Sequence, residues 1–386
     1  MSAPSPSSSG AAAALFPGDA AWAAAAAPGG YAWWYVEVHD AAGRFTLALI
    51  VFAGSVFSPD YAAWRRAGAP VCGLDVPAVN FSLYERARSD RPSAQRAWVM
   101  SEYGREALHR DKDTITVART ALHFPPEGGA VIALDEDTTR FFSRRGQRVT
   151  GRITVAAAAP ALGPLCLGEN ERGEAHYWQP LAPRTAATVD LEVGRESLRY
   201  SGLGYLDHNY GSGPLEDTFS RWGWAHGFAT PEAAGNLEPS SDAAVIVYSA
   251  TRHSGRSRRV CVRYPADNKP PEIFCTDHAP QDEDHPAHEA DTPRSTAGGG
   301  REPLWLRVPR SFRAGPYTCR RLAGGMLADT PFYARFAVHI AKARPASAEP
   351  GFYGVGEYLD LERFRRPSLQ YLLRYKTRCI RSGAAR

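Results

Sequence analysis

Tyr31-Ala32-Trp33-Trp34-Tyr35-Val36-Glu37-Val38-His39 is the stretch whose reading decides the fold. Alternate residues of a strand point to opposite faces, so Trp33, Tyr35, Glu37 and His39 share one side and Trp34, Val36 and Val38 the other. Asp40-Ala41-Ala42-Gly43 reads as a turn, and Arg44–Phe57 returns as a strand apolar on both faces. A strand of that kind is expected to be covered on both sides.

Outward from this hairpin, short strand-like runs recur at Val79–Tyr84, Ala97–Glu102, Thr114–Val117, Ala130–Leu134, Val149–Val155 and Thr188–Val193. Gly, Pro and Asp clusters separate them. The pattern restarts after Gly213-Pro214 with Arg221–Phe228, Ala243–Thr251, Arg258–Tyr264, Pro303–Val308 and Pro331–Ala341. Regularly spaced short strands with almost no helical period predict an all-β, antiparallel sandwich or barrel. Helix is expected only in Asp360–Arg386, where Pro367 can start a helix and Leu369, Leu372 and Leu373 form a stripe among arginines. That tail reads either as a cap on a barrel or as a basic helix lying on a membrane surface.

At 386 residues the chain exceeds the usual size of a single core, so two domains are expected. Residues 1–28 are alanine-rich and lack a basic start, and Pro17, Gly18 and Asp19 interrupt the apolar runs. They read as a disordered low-complexity tail and not as a secretory signal. Residues 266–300, rich in Pro, Asp, Glu, His and Gly, read as a long loop or insertion. A net charge of +4 argues against a nucleic-acid partner. Six scattered cysteines, with no C-x-x-C pair, suggest neither a zinc site nor a disulfide framework, which suits a reducing, cytoplasmic compartment. His278, His285 and His288 lack ligand-like spacing, so no metal is expected. The apolar run Phe45–Phe57 is shorter than the roughly 20 residues a membrane-crossing helix needs. No nucleophile elbow, P-loop or dinucleotide fingerprint is present, and no cofactor is expected.

The candidate chemistry lies in Gly202-Leu203-Gly204-Tyr205-Leu206-Asp207-His208-Asn209-Tyr210-Gly211, followed by Arg221-Trp222-Gly223-Trp224. An Asp set among aromatic rings is a candidate for a raised pKa and hence for proton donation near neutrality. The plainer reading is a Gly-rich loop in which Asp207 and Asn209 bond their own backbone. If the stretch is extended, His208 and Asn209 point to opposite faces, and only one of them can share a cavity with Asp207.

Gly204–Gly211 with its Trp-Gly-Trp resembles the signature of the acyclic carotenoid 1,2-hydratases (hydroxyneurosporene synthases). Gly29–Val36, Phe52–Pro59, Pro331–Arg335 and Gly356–Leu361 resemble stretches of the same family in the same order. Tyr210 stands where that family usually carries Trp. The resemblance implies two lipocalin-like antiparallel β-barrel domains, placed here at 29–214 and 215–386, the second carrying the insertion and the helical tail. It also implies water addition across the terminal C1–C2 double bond of an acyclic carotene such as neurosporene or lycopene.

That chemistry needs an acid, electron-rich rings beside a tertiary cation, and a placed water. Asp207 is the candidate acid, with His208 or Asn209 to hold the water. Tyr205, Tyr210, Trp222, Trp224, Trp33, Trp34 and Tyr35 are the candidate aromatic wall, with Glu357 as a second carboxylate. A polyene substrate leaves open a peripheral position on the inner membrane. Two other readings compete: a pericyclase or isomerase acting on another hydrophobic metabolite, and a non-catalytic lipocalin-type carrier of a polyene. The carrier needs no buried acid, so a requirement for Asp207 separates it from the enzymes.

Overall fold

The computed structural model describes residues 19–86, 93–139, 146–158, 162–229, 242–266, 269–279, 305–343 and 351–380. The chain is built of strands. The first sheet holds β1 (Tyr31–Asp40), β2 (Phe45–Ala53), β3 (Ala78–Glu85), β4 (Ala94–Tyr103), β5 (Leu108–Arg110), β6 (Thr114–Val117) and β7 (Thr120–His123). It continues with β8 (Ala130–Asp137), β9 (Arg148–Val155), β10 (Leu165–Glu169), β11 (Ala175–Val193) and β12 (Glu196–Gly211). The second holds β13 (Phe219–Ala229), β14 (Asp242–Arg252), β15 (Ser257–Pro265), β16 (Glu272–His278), β17 (Ser311–Ala314), β18 (Tyr317–Asp329), β19 (Tyr333–Lys342) and β20 (Phe352–Asp360). A last short strand, β21 (Arg378–Ile380), returns to the first sheet and pairs in parallel with β4.

The first sheet runs β21-β4-β3-β2-β1-β12-β11-β9-β8-β7-β6-β5 and curls into a nearly closed barrel; the second runs β16-β15-β14-β13-β20-β19-β18-β17 as a half-barrel. This is the all-β, lipocalin-like architecture expected, with a short helix near the C-terminus. Three apolar clusters follow from strand alternation. One fills the first barrel with Trp34, Val36, Val38, Leu49 and Leu206. A second lies between the sheets and takes Tyr31, Tyr35, Phe52, Trp178, Tyr205, Trp222 and Trp224. A third fills the half-barrel around Phe336, Val338 and Ile340. β2 is therefore covered on both faces, buried at every position.

Five expectations change. First, Asp19–Ala26, inside the stretch expected to be disordered, is helix α1; Ala21 and Ala25 are buried, and a Cβ on Gly30 would come within 1.9 Å of the Ala24 carbonyl oxygen. An alanine-rich segment was misread because its small side chains suit close packing on a barrel wall; residues 1–18 lie outside the described residues. Second, the Gly-rich stretch is not a loop: it is the end of β12, paired with β1 from Tyr31↔Gly211 to Asp40↔Gly202. A side chain on Gly202 would meet the His39 carbonyl oxygen at 1.8 Å, so glycine permits this close approach.

Third, β2 stops at Ala53, where Gly54 takes a φ of +111° and the chain swings toward α2 (Pro59–Arg66). Fourth, Glu272–His278 is a strand within the stretch read as an insertion, while the described residues around Leu306 are not one. Residues 280–304, with His285 and His288, lie outside the described residues. Fifth, the tail is only partly helical. After α3 (Leu215–Thr218), α4 (Leu361–Phe364) and α5 (Pro367–Leu373) give way to β21, so the last described residues lie on the first sheet.

Candidate active site

The cleft lies between the two sheets. Odd-numbered residues of β1 and β12 face it: Trp33, Tyr35, Asp207 and Asn209. Ile50 and Phe52 of β2 extend that floor, and Phe57 closes one side. From the second sheet come Trp222, Trp224, Tyr248, Glu357 and Leu359. The cleft holds about 460 Å³ of empty space.

Asp207 is 2% exposed. Its Oδ2 accepts two hydrogen bonds, from Tyr205 Oη at 2.7 Å and Trp178 Nε1 at 2.9 Å. Its Oδ1 accepts one, from Asn209 Nδ2 at 3.0 Å, while Tyr248 Oη donates to Asn209 Oδ1 at 3.3 Å. Burial pushes the Asp207 carboxyl up to about 7, against the pull of its Tyr205 and Trp178 bonds; Glu357 and Glu37 add to the rise. With both Oδ2 lone pairs occupied, the acidic proton belongs on Oδ1. Near neutral pH the group is a hydrogen-bonded acid in an aromatic setting, poised to give up that proton.

Two other carboxylates, the buried Glu37 and the part-buried Glu357, flank it in different company. Glu357 accepts from Tyr333 Oη at 2.9 Å and Arg335 Nε at 2.9 Å, and Arg335 Nη2 stands 2.8 Å away. Arg335 is itself 1% exposed and reaches across the sheets to Ser82 Oγ at 2.6 Å. Glu37 takes the Tyr35 hydroxyl at 2.7 Å, is hydrogen-bonded to His39 Nε2, and lies 3.8 Å from His226 Nδ1. Burial alone would raise Glu37, but His39 and His226 together hold it well below the usual carboxylate range.

The rings form a continuous wall. Tyr35 meets Trp224 edge-on at 5.2 Å, Trp33 lies 6.3 Å from Trp222, and Trp222 meets Tyr248 at 5.1 Å. Trp224 Nε1 is buried and finds no acceptor among the described residues.

Four expected site residues do not line the cleft: Tyr205 and three that face the other way. His208, Trp34 and Tyr210 are even-numbered on their strands and point into the first barrel. His208 stacks on Trp34 at 4.8 Å, its Nδ1 is 3.1 Å from the Trp33 carbonyl oxygen, and burial lowers its pKa to about 4. Asn209 is thus the neighbour that shares the cavity with Asp207. Tyr205 does not line the cleft and acts through its bond to Asp207.

Four residues were missed: Trp178, Tyr248, His176 and Phe57. His176 is fully buried, its Nδ1 lies 2.7 Å from Tyr31 Oη, and burial lowers its pKa to about 3. Trp178 and His176 sit on the first half of β11, whose Pro180 and Pro183 hid the strand. Among the described residues, one group of metal-capable side chains, Asp60, Glu102 and Cys379, comes within 4.8 Å. It lies by the C-terminal tail, outside the cleft. Asp60 is already paired with Arg374, and Ser58 Oγ donates to Glu102 at 2.9 Å.

Comparison with known proteins settles the family. The family model for "Carotenoid hydratase CrtC" matches residues 49–382. The chain belongs to the carotenoid hydratase family. Among relatives of this family, the chain is 32% identical over 346 residues to the acyclic carotenoid 1,2-hydratase of Thiocapsa roseopersicina, covering 90% of this chain and 72% of that one. It is 30% identical over 327 residues to the corresponding protein of Cereibacter sphaeroides, covering 84% and 95%. The carotenoid hydratase fold seen here also matches the crystal structure of a Nitrosomonas europaea protein assigned as AttH, with a TM-score of 0.52 at 14% identity, over 86% of this chain and 93% of that one.

Proposed function

We propose that this protein adds water across the terminal C1–C2 double bond of an acyclic carotenoid such as neurosporene or lycopene, with Asp207 as the proton donor. The observation that carries the reading is a buried carboxyl with three neutral donors, no cationic partner among the described residues, and an aromatic cleft in front of it. Family membership supports the substrate class.

The alkene π pair takes the proton from Asp207 Oδ1, forming the C2–H bond and leaving a carboxylate and a tertiary cation at C1. The three hydrogen bonds to Asp207 stabilise the carboxylate as it forms. Trp33, Trp222, Trp224 and Tyr35 offer ring faces and edges around the cation, each cation–π contact worth about 1–2 kcal/mol when desolvated. A water held by the Asn209 amide and the Trp224 indole N–H attacks C1. The oxonium then loses one proton, which returns to Asp207. The reaction is redox-neutral and needs no electron carrier.

The protein would meet its substrate at the inner-membrane surface from the cytoplasmic side. Among the described residues no helix is long and apolar enough to cross a membrane. Tyr371 and Tyr375 are exposed near the end of the tail, with Arg365, Arg366 and Arg374 beside them, which suits contact with anionic lipid. Replacing both tyrosines by serine should weaken sedimentation with anionic vesicles without lowering turnover in detergent.

Incubation with lycopene in heavy water tests the reaction. The expected product is heavier by one D2O, with one deuterium at carbon 2 and a solvent-derived hydroxyl at carbon 1. Recovery of unchanged lycopene, with the protein folded and the carotene dispersed, would refute the assignment.

A further inference from the structure

A second, partly open cavity adjoins the cleft and shares three of its walls, Ile50, Phe52 and Phe57. Its own lining adds Asn80, Trp98 and Met100 from β3 and β4, Phe332 and Tyr333 from β19 and the turn before it, and Leu373 and Lys376 from the tail.

Strand register places the two cavities in line. Asp207 pairs with Tyr35, Tyr35 with Ile50, Ile50 with Asn80, and Asn80 with Met100. These five residues sit on five adjacent strands and each is buried. Asn209–Trp33–Phe52 forms a parallel row beside them. At roughly 4.8 Å per strand, the row from Asp207 to Met100 is about 19 Å long. It crosses the strands at right angles, and the second sheet and the tail roof it over. Its polar members are occupied: Asn80 Nδ2 donates to the Val99 carbonyl at 2.7 Å, and Tyr35 Oη to Glu37. What remains for a ligand is a largely apolar trough along the outer face of the first sheet, with an acid at one end.

We infer that the second cavity is the binding site for the unreactive shaft of a rigid, extended polyene, and that Met100, Leu373 and Phe57 set the length of substrate the enzyme accepts. This deepens the reading of the cleft as a carotenoid hydratase site and rests on it. A stiff conjugated chain cannot fold back on itself, so a molecule whose end reaches Asp207 must lie along such a trough. Phe57 stands where the cavities meet, 5.7 Å from Tyr333 and 6.4 Å from Phe332, Phe52 and Phe364. From there it packs against the shaft just beyond the acid-bearing cleft. Leu373 is only partly buried and forms the far wall from the tail side.

The test compares two substrates ending in the same dimethyl alkene: lycopene, which needs the whole trough, and geranylacetone, which needs only the cleft. Met100→Trp fills the far end from the sheet, and Leu373→Trp fills it from the tail, at a position that is only partly buried. Each should lower the ratio of kcat/KM for lycopene to that for geranylacetone by about tenfold or more. An unchanged ratio in both variants overturns the inference. If the unaltered protein hydrates neither compound, the reading of the cleft fails, and lycopene binding, followed by quenching of tryptophan fluorescence, then decides the trough. Weaker binding by the two variants supports it; equal binding by all three proteins refutes it.

Discussion

Replacing Asp207 by Asn changes one atom, and its consequences can be worked from the geometry. The new carbonyl oxygen can occupy the Oδ2 position and keep the Tyr205 and Trp178 bonds. The new amide then faces Asn209, which must turn over its own amide to accept, and Tyr248 Oη then accepts in place of donating. Shape and cavity are retained, but the acidic proton is gone. General acid catalysis contributes about 10²–10⁴-fold, and an alkene is a poor base, so hydration should fall by at least the upper figure. The substitution should also change stability in a pH-dependent way.

The carboxyl is raised from 3.8 to about 7 in the folded state. Between those values the native protein binds more protons than the unfolded chain, so stability falls as pH rises through this window and levels off above it. At 1.36 kcal/mol per pKa unit the loss is about 4 kcal/mol, on an order-of-magnitude scale. Asp207→Asn has no such loss. Urea unfolding of both proteins at pH 5 and pH 8 should show the variant gaining on the parent as pH rises. A stability difference that does not depend on pH would refute the raised pKa, and a variant that retains most of its turnover would refute the proton-donor role.

Tyr205→Phe removes a hydrogen bond that favours the carboxylate, so the Asp207 pKa should rise above about 7. The alkaline limb of the kcat/KM profile should then move to higher pH, while the rate on the plateau falls; a limb displaced downward would contradict this. Trp224→Leu should lower kcat by about 5–30-fold, the equivalent of 1–2 kcal/mol of lost ring stabilisation, with less effect on KM. Arg335→Met strips Glu357 of its cation and should cost about 3–5 kcal/mol in urea unfolding, whereas Arg335→Met with Glu357→Gln should recover part of it. Truncation through Pro28 removes α1 from the barrel wall and should lower the Tm; an unchanged Tm would show that α1 contributes no packing.

Much of the fold was legible because strand alternation is local. The faces of Tyr31–His39 could be assigned from sequence, and with them the division of Trp33 and Tyr35 from Trp34. Whether His208 or Asn209 joined Asp207 needed one further fact, that Gly202–Gly211 is extended, and three glycines obscured it. They are there because β1 and its neighbours approach so closely, a tertiary cause that no local pattern carries. Pairing across the chain was equally out of reach. Trp178 meets Asp207 from 29 positions away, and Tyr248 reaches Asn209 from the other sheet. His176, β5, β7 and β17 gave no periodic signal. The parallel return of Arg378–Ile380 to β4 depends on where the tail ends up in space.

The proposal that Asp207 serves as the acid rests on how its surroundings differ from those of the two other carboxylates around the cleft, Glu357 and Glu37. Burial pushes Asp207 and Glu37 toward the neutral form. Glu357 is held by a guanidinium through Nε and Nη2, and Glu37 by two imidazoles and a tyrosine. Asp207 has donors of comparable number and geometry, but none of them carries charge. Hydrogen bonds from neutral groups offset only part of the desolvation, and the two flanking anions add to the rise, so its pKa settles near neutrality. The same arrangement supplies the field that a tertiary cation requires. Glu357 lines the cleft, and Glu37 lies behind Tyr35, whose hydroxyl it polarises toward the carboxylate and whose ring it thereby makes more electron-rich. Arg335, a buried cation nearby, is paired with Glu357 and lies 5.7 Å over the Tyr35 ring. An acid that is neutral before protonation, and surroundings that are negative after it, come from the same placement of charge.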